Sequence, residues 1–188
     1  AKICLPEIKD KRVYEASLEL INLGFNVIHF DSFKKKEATY KEILLAKKFS
    51  SNWTENMIEN FIECPINYSM LALCNNDIDC IVAGATHSTS TVLRSAIRLV
   101  GLKNNSKWVS SVFFMLSPCN QYIYTYSDCA VIPDPSSEQL CSIAYEASKL
   151  HSLLTEDLSK VAFLSFSTNG SADHYKVKKV QEDYGPAA

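Results

Sequence analysis

The sequence predicts an α/β fold with a mostly parallel sheet. Residues 2–5 form a short apolar run, a helical pattern ends at Gly24, and β-forming residues return at 26–30. Strand, helix and strand in this order are typical of a parallel βαβ unit. With 47% hydrophobic and 21% charged residues, the 188-residue chain can bury one sizeable core or two smaller ones.

Local signals mark the helices of the first half. Asp10 and Gly24 predict the start and the stop of the first helix. Three further helical segments follow, at 38–48, 54–63 and 66–74. Thr54 is expected to cap the second of them. A buried strand is then predicted at 79–84, followed by a polar turn and another helical pattern.

The second half changes character after a linker-like segment at 101–107. Four runs rich in apolar or β-forming residues predict strands, at 109–116, 122–126, 129–132 and 161–166. Ser136 is expected to cap a helix over 138–151, and a last helix begins near Asp173. We therefore expect a first α/β lobe over 1–105 and a second over 106–188.

Charge and composition exclude several classes of function. Lysine and arginine number 19 against 21 acidic residues, so the net charge of -2 offers no basic surface for nucleic acid. No apolar run reaches the length of a membrane span, and we expect a cytoplasmic protein without a membrane partner. The seven cysteines include no C-x-x-C pair, so no metal site is expected. Cys80, Cys119 and Cys129 are interpreted as packing thiols.

The polar turn after the third predicted strand is the clearest candidate site. It contains Gly84, His87, Ser88 and Thr89. Backbone N–H groups and hydroxyls between a strand and a helix favour an anion. Arg94 follows within the helix, and its guanidinium can bind a phosphate through two hydrogen bonds. The combination predicts a site for a phosphorylated ligand. The alternative is a capped helix whose Arg94 pairs with a surface carboxylate.

Three blocks in one order carry a family pattern. Residues 79–94 are similar to D-x-x-V-S-G-A-x-H-x-T-x-x-T-x-R, residues 128–140 to D-C-A-V-N-P-x-P-x-x-x-Q-L, and residues 162–171 to A-x-L-S-x-S-T-x-G-S. The chain therefore resembles the phosphate acetyl/butyryl transferase family, and residues 5–13 resemble the family's opening. Three positions depart from the pattern, Ala83, Ser95 and Ile132, where the family usually has serine, proline and asparagine.

The resemblance implies both a fold and a reaction. The fold has two α/β/α sandwich lobes with mostly parallel sheets around a central cleft, similar to isocitrate and isopropylmalate dehydrogenases. The reaction is reversible transfer of an acetyl group between acetyl-CoA and inorganic phosphate, giving acetyl phosphate and CoA, in a homodimer. CoA is then a substrate, and no permanently bound cofactor is expected. Butyryl is the alternative acyl group.

The resemblance also implies roles for individual residues. Phosphate is expected to contact Ser88, Thr89, Arg94, Ser167, Thr168, Gly170 and Ser171. Lys48, near a position where the family tends to carry an arginine, is expected to face the phosphates of CoA. His87 is interpreted as orienting its turn, with general base as the alternative. Asp128 is interpreted as bracing the cleft, with a catalytic carboxylate as the alternative.

The family's aspartate base and serine–arginine pair belong to a C-terminal portion beyond the last matching block. No residue of this chain is therefore assigned as catalytic, and the first lobe is expected to be incomplete, while the completeness of the second is left open. Three hypotheses remain: an acyltransferase, a non-catalytic acetyl-CoA-binding regulatory module, and an inactive fragment that folds with a partner.

Overall fold

The structure is a computed structural model that describes residues 1–29, 32, 36–104, 106–119, 121–168 and 171–182. The chain divides into two compact units, a first unit over Ala1–Lys103 and a second over Asn104–Ala188. Residue positions are compared only within one unit.

The described residues of the first unit form three parallel strands and five helices. In chain order these are β1 (Lys2–Cys4), α1 (Lys11–Asn22), β2 (Asn26–Ile28), α2 (Glu37–Leu45), α3 (Glu55–Ile62), α4 (Pro65–Cys74), β3 (Cys80–Ile81) and α5 (Thr89–Leu99). The strand order is β2-β1-β3, so β1 lies in the middle and pairs with both neighbours through Ile3. The predicted parallel βαβ unit is confirmed.

Helix α1 begins and ends where the sequence predicts. The side chain of Asp10 accepts a hydrogen bond from the Arg12 N–H at 2.9 Å, which satisfies one free donor of the first turn. At the other end Gly24 has φ +87°, its N–H bonds the Ile21 carbonyl, and the Phe25 N–H bonds the Leu20 carbonyl. This double hydrogen bond is a Schellman motif, which ends a helix with a left-handed residue.

The core of the first unit lies around α4. Residues 66–72 of this helix are all buried, because it is mostly apolar and is covered by α2, α3 and α5. Tyr40, Leu44 and Leu99 complete the core, each with no exposed surface. Thr54 occupies the N-cap position of α3, but its side chain makes no capping hydrogen bond.

The described residues of the second unit form an antiparallel hairpin and two helices. These are β4 (Phe113–Leu116), β5 (Ile123–Tyr126), α6 (Ser137–Thr155) and α7 (Tyr175–Glu182). Helix α6 contacts both β5 and α7, and a groove of about 880 Å³ runs along β5 and α6. A capping box confirms the predicted start of α6: the Gln139 N–H bonds Ser136 Oγ at 3.2 Å, and Gln139 Oε1 accepts from the Ser136 N–H at 2.9 Å.

Several predictions for the second unit are wrong. Its described sheet is antiparallel, and residues 129–132 and 161–166 are not strands. A strand exists only where a neighbour takes up its backbone hydrogen bonds, and an apolar run does not supply that neighbour. Leu164 is accordingly 79% exposed. Cys119 and Cys129 are exposed, so neither is a packing thiol, whereas Cys80 is half-buried.

In the described part of the chain, no helix combines the length and the apolar character that a membrane crossing requires.

Candidate functional site

Two loops meet at one edge of the parallel sheet in the first unit. Cys4 and Ile81, the last residues of β1 and β3, are partners in register. Glu7 follows Cys4 by three positions, and Gly84 follows Ile81 by three positions. Segments that leave the carboxyl ends of neighbouring parallel strands emerge at the same edge. Glu7 therefore lies against the turn formed by residues 84–87.

The Glu7 carboxylate organises that turn. Its side chain is only 2% exposed. One oxygen, Oε2, accepts hydrogen bonds from the N–H groups of Gly84 and Ala85, both at 2.7 Å. The other, Oε1, accepts from the N–H groups of Thr86 and His87 at 2.8 and 2.7 Å, from Thr86 Oγ1 at 2.8 Å, and from His87 Nδ1 at 2.7 Å. All hydrogen-bond donors of the turn are thus directed at one carboxylate.

These bonds keep Glu7 ionised. Burial by itself raises the pKa of a carboxyl group, but hydrogen bonds from His87, Thr86 and Ala85 outweigh it and hold the pKa of Glu7 far below its ordinary value. The amides of the turn are therefore occupied by an internal anion. The expectation that Gly84 and His87 offer amides to an external anion is wrong. The ring of His87 orients the turn through Nδ1, as the first interpretation of this residue required.

An arginine paired with an aspartate lies beside this turn. The Arg12 guanidinium bonds both oxygens of Asp10 at 3.0 Å and the Ala85 carbonyl at 3.1 Å, which brings a cation to the same turn. Gly84 has φ +112°, a conformation that only glycine adopts without strain. A cavity of about 410 Å³ opens here, lined by Pro6, Glu7, Ile8, Lys9, Asp10, Pro65, Thr86 and His87.

The first turn of α5 carries a group of hydroxyls. Ser88 is the N-cap, and its Oγ accepts from the Thr91 N–H at 3.2 Å. Ser88 Oγ also lies 2.9 Å from both Ser90 Oγ and Thr91 Oγ1. Thr89, predicted as a site residue, is the first helical residue and is exposed. Ser90 and Thr91, the second and third residues of α5, were not predicted as part of this group, although the run of hydroxyl residues at 88–91 was visible in the sequence.

Arg94 lies on the same helix face as Ser90 and Thr91, four and three positions further along α5. It is exposed, and within the described residues its guanidinium has neither a hydrogen bond nor an ion pair. The alternative of an arginine paired with a surface carboxylate is therefore not what the structure contains. Long side chains on a helix tend to lean toward its N-terminus, a direction that for Arg94 leads to the hydroxyls of the first turn.

The other predicted binding residues lie outside the first turn of α5. Lys48 lies exposed in the turn after α2 and forms no ion pair with any described residue. In the second unit, Ser167 is half-buried, and its Oγ accepts from the Ala172 N–H at 2.9 Å and lies 3.3 Å from Ser171 Oγ. Thr168 is exposed, and its carbonyl accepts from the Ser171 N–H at 3.1 Å. Gly170 lies outside the described residues.

Asp128 holds a second turn, in the second unit. Its Oδ1 accepts from the Ser111 hydroxyl and from the N–H groups of Ala130 and Val131, and its Oδ2 accepts from the Ile132 N–H at 3.0 Å. Burial alone raises the pKa of Asp128, yet these hydrogen bonds hold it below its ordinary value. These contacts brace the turn at residues 128–132, and the expected role of Asp128 in bracing a cleft stays a prediction.

Comparison with known proteins identifies the family. The sequence profile described as phosphate acetyl/butaryl transferase matches residues 1–184. The chain belongs to this family. The phosphate acetyltransferase of Escherichia coli K12 is 32% identical over 167 residues, which are 89% of this chain and 23% of that protein. The phosphate acetyltransferase of Staphylococcus aureus Mu50 is 33% identical over 207 aligned residues, 96% of this chain and 62% of that protein.

Two solved structures share the fold of this transferase family member. EutD phosphotransacetylase from Staphylococcus aureus superimposes with a TM-score of 0.76 at 27% identity, covering 97% of this chain and 62% of that one. A phosphotransacetylase from Streptococcus pyogenes gives a TM-score of 0.75 at 24% identity, with 97% and 63% coverage. The chain thus spans less than two thirds of the relatives it matches.

The main residue missed from sequence is Glu7. The Leu5-Pro6-Glu7 run belongs to the stretch that resembles the family's opening, yet no role follows from the run alone. The available signal is a single acidic residue just beyond a buried strand, at the edge where parallel strands end. This signal predicts the contacts of Glu7 only when the neighbouring strand is known.

Proposed function

We propose that this chain forms part of a phosphate acetyltransferase. The sulfur of CoA attacks the acetyl carbon of acetyl phosphate, a C–S bond forms, and the C–O bond to phosphate breaks. The thiol proton leaves to solvent or to phosphate, so the products are acetyl-CoA and inorganic phosphate. Support comes from family membership and from relatives named phosphate acetyltransferase. CoA is a substrate in this scheme, and no resident cofactor or metal is required.

The observation that carries the proposal is the unpaired, exposed guanidinium of Arg94 on the face of α5 that holds Ser90 and Thr91. The N-terminal turn of a helix carries partial positive charge, and Arg94 adds a full charge with a planar pair of donors. Ser88 and Thr89 supply hydroxyls and N–H groups at the same turn. This set suits the oxygens of a phosphate or phosphoryl group.

The other expected contacts are part of the same proposal. Ser167, Thr168, Gly170 and Ser171 are proposed as donors to phosphoryl oxygens, and Lys48 as a contact to the phosphates of CoA. The architecture proposed for the whole enzyme is two α/β lobes with a central cleft, as in isocitrate and isopropylmalate dehydrogenases, with lobes over 1–105 and 106–188. We also propose a cytoplasmic homodimer. Acetyl is the proposed acyl group, and butyryl phosphate is the competing substrate to assay.

The experiment compares Arg94→Ala with Arg98→Ala. Arg98 is a matched control, since it lies on the same helix, carries the same charge and packs over the ring of Phe49 at 5.6 Å. Phosphate binding is measured by calorimetry, and turnover by CoA-dependent arsenolysis of acetyl phosphate. Charge-assisted hydrogen bonds contribute about 1.5–3 kcal/mol, so Arg94→Ala is expected to weaken phosphate binding about 10- to 150-fold. Arg98→Ala is expected to bind as the unchanged chain does.

Each outcome distinguishes one hypothesis. Arsenolysis by the chain supports the transferase. Binding of acetyl-CoA without arsenolysis, even when a segment carrying the family's aspartate base and serine–arginine pair is supplied, replaces it with the regulatory module. Absence of binding by an unfolded chain replaces it with the partner-dependent fragment. Equal phosphate affinity in the two arginine variants refutes the assignment of Arg94.

A further inference from the structure

The Glu7 carboxylate is bonded to groups of the protein itself. Among the described residues, the six hydrogen bonds that its carboxylate accepts all come from residues 84–87. A carboxylate that is 2% exposed and fully bonded is rigid. Its position therefore determines the backbone of a turn that ends immediately before Ser88, the N-cap of α5.

The same carboxylate determines where the proton of the His87 ring lies. An ionised carboxylate only accepts hydrogen bonds, so Nδ1, at 2.7 Å from Oε1, carries the proton. The other ring nitrogen, Nε2, is then the acceptor in the neutral ring. Within the described residues Nε2 has no hydrogen-bond partner, and the His87 side chain is 31% exposed. Nε2 is therefore the part of this pair that remains free for a ligand.

We propose that Glu7 is a positioning residue for the phosphate site: it fixes the 84–87 turn and the Nδ1–H form of His87, so that Nε2 accepts a hydrogen bond from the P–OH of bound phosphate. This inference rests on the phosphate site proposed above at the start of α5. His87 is adjacent to the Ser88 cap, and inorganic phosphate near neutral pH carries at least one P–OH donor. Arg94 binds the anionic oxygens in this arrangement, and His87 binds the protonated one.

Two substitutions separate the two parts of the proposal. In Glu7→Gln, an NH₂ group replaces one carboxylate oxygen and faces the Gly84 and Ala85 N–H groups, or, if flipped, those of Thr86 and His87. Donors then oppose donors. In His87→Asn, the side-chain NH₂ replaces Nδ1–H and keeps the bond to Glu7, but nothing replaces Nε2. Glu15→Gln is the matched control, since Glu15 is 59% exposed and, in the part of the chain that the structure describes, makes just an i,i+4 pair with Lys11.

The experiment has three readouts. The ¹⁵N shifts of the His87 ring report its tautomer without any ligand and are expected to show Nδ1–H in the unchanged chain. Amide hydrogen exchange is expected to accelerate about tenfold or more within the 84–87 turn of Glu7→Gln, and to stay unchanged in His87→Asn and Glu15→Gln. Titration with inorganic phosphate is expected to show about threefold to tenfold weaker binding by His87→Asn, the effect of one neutral hydrogen bond.

The opposite results are decisive. A His87 ring protonated on Nε2 overturns the proposal even if Glu7→Gln does not fold, and so does unchanged turn exchange in a folded Glu7→Gln. Phosphate affinity in His87→Asn equal to that of the unchanged chain overturns the Nε2 contact. Failure of the unchanged chain to bind phosphate overturns the proposed phosphate site itself, and the ligand contact with it, whatever the exchange data show.

Discussion

Replacement of Asp128 by asparagine is expected to destabilise the second unit in a pH-dependent way. In its better orientation the asparagine keeps its carbonyl toward Ala130 and Val131, but its NH₂ group then opposes the Ile132 N–H. One hydrogen bond is lost, a donor is left unpaired, and the others become neutral. Together these changes correspond to about 1.5–3 kcal/mol of unfolding free energy at neutral pH.

The pH dependence follows from the direction of the pKa shift. The pKa of Asp128 is lower in the folded chain than in the unfolded one, so its stabilising contribution is complete above the unfolded value of about 3.9. It is lost as the pH falls through that value toward the folded pKa. The difference in stability between the unchanged chain and Asp128→Asn is therefore expected to be constant from pH 7 to about pH 5 and to shrink below about pH 4.

Urea unfolding followed by Trp108 fluorescence measures this difference in a Trp53→Phe background, because the chain has two tryptophans and Trp108 is the one in the second unit. Asp173→Asn is the control: its carboxylate is 84% exposed and, among the described residues, pairs with Lys178 alone, so a change within about 1 kcal/mol is expected. A difference for Asp128→Asn that is below 0.5 kcal/mol, or that does not vary with pH, would refute the reasoning.

Three further predictions concern single contacts. Gly84→Ala is expected to cost about 1–3 kcal/mol in urea unfolding, because alanine is strained at φ +112° even though its Cβ meets no atom within 4 Å. Ser136→Ala is expected to lower the free energy of unfolding by about 1 kcal/mol and to speed amide exchange in the first turn of α6. Thr54→Ala is the control and should leave exchange in α3 unchanged, because the Thr54 side chain makes no capping bond. Equal effects of the two substitutions contradict this prediction. Tyr40→Phe removes the hydroxyl bonded to Asp77 at 2.7 Å and is expected to lower the free energy of unfolding by about 1–2 kcal/mol. The urea midpoint should fall accordingly, and an unchanged unfolding curve would exclude this.

The helices were predicted well because their signals are local. Asp10 and Gly24 each act through hydrogen bonds to residues within five positions, and so does Ser136 in the capping box of α6. Such contacts form wherever the neighbouring sequence permits a helix. A short stretch of sequence therefore contains both the capping residue and the residues that it bonds.

The strands were predicted less well because their partners are distant. Residues 161–166 have the same β-forming composition as residues 113–116, yet only the latter find a neighbour, in β5. Pairing depends on which segments of the chain come together, and composition does not report that. The same limit explains the wrong parallel assignment of the second unit, where a hairpin forms between adjacent segments instead.

The candidate site depends on both local and distant contacts, and the two kinds of contact have different roles. Arg94 and Ser88 could be predicted because cap and helix face are local, while Glu7 acts on residues 77 to 80 positions away, a contact that requires β1 and β3 to be neighbours. A turn whose backbone amides converge before a helix suggests a loop that cradles a phosphate. Here an internal carboxylate fills that cradle, and its negative charge also repels a second anion from it. Under the proposed function, phosphate is therefore left with the first turn of α5, Arg94 and Nε2 of His87, and we expect the arginine, and not the amides of the 84–87 turn, to dominate phosphate affinity.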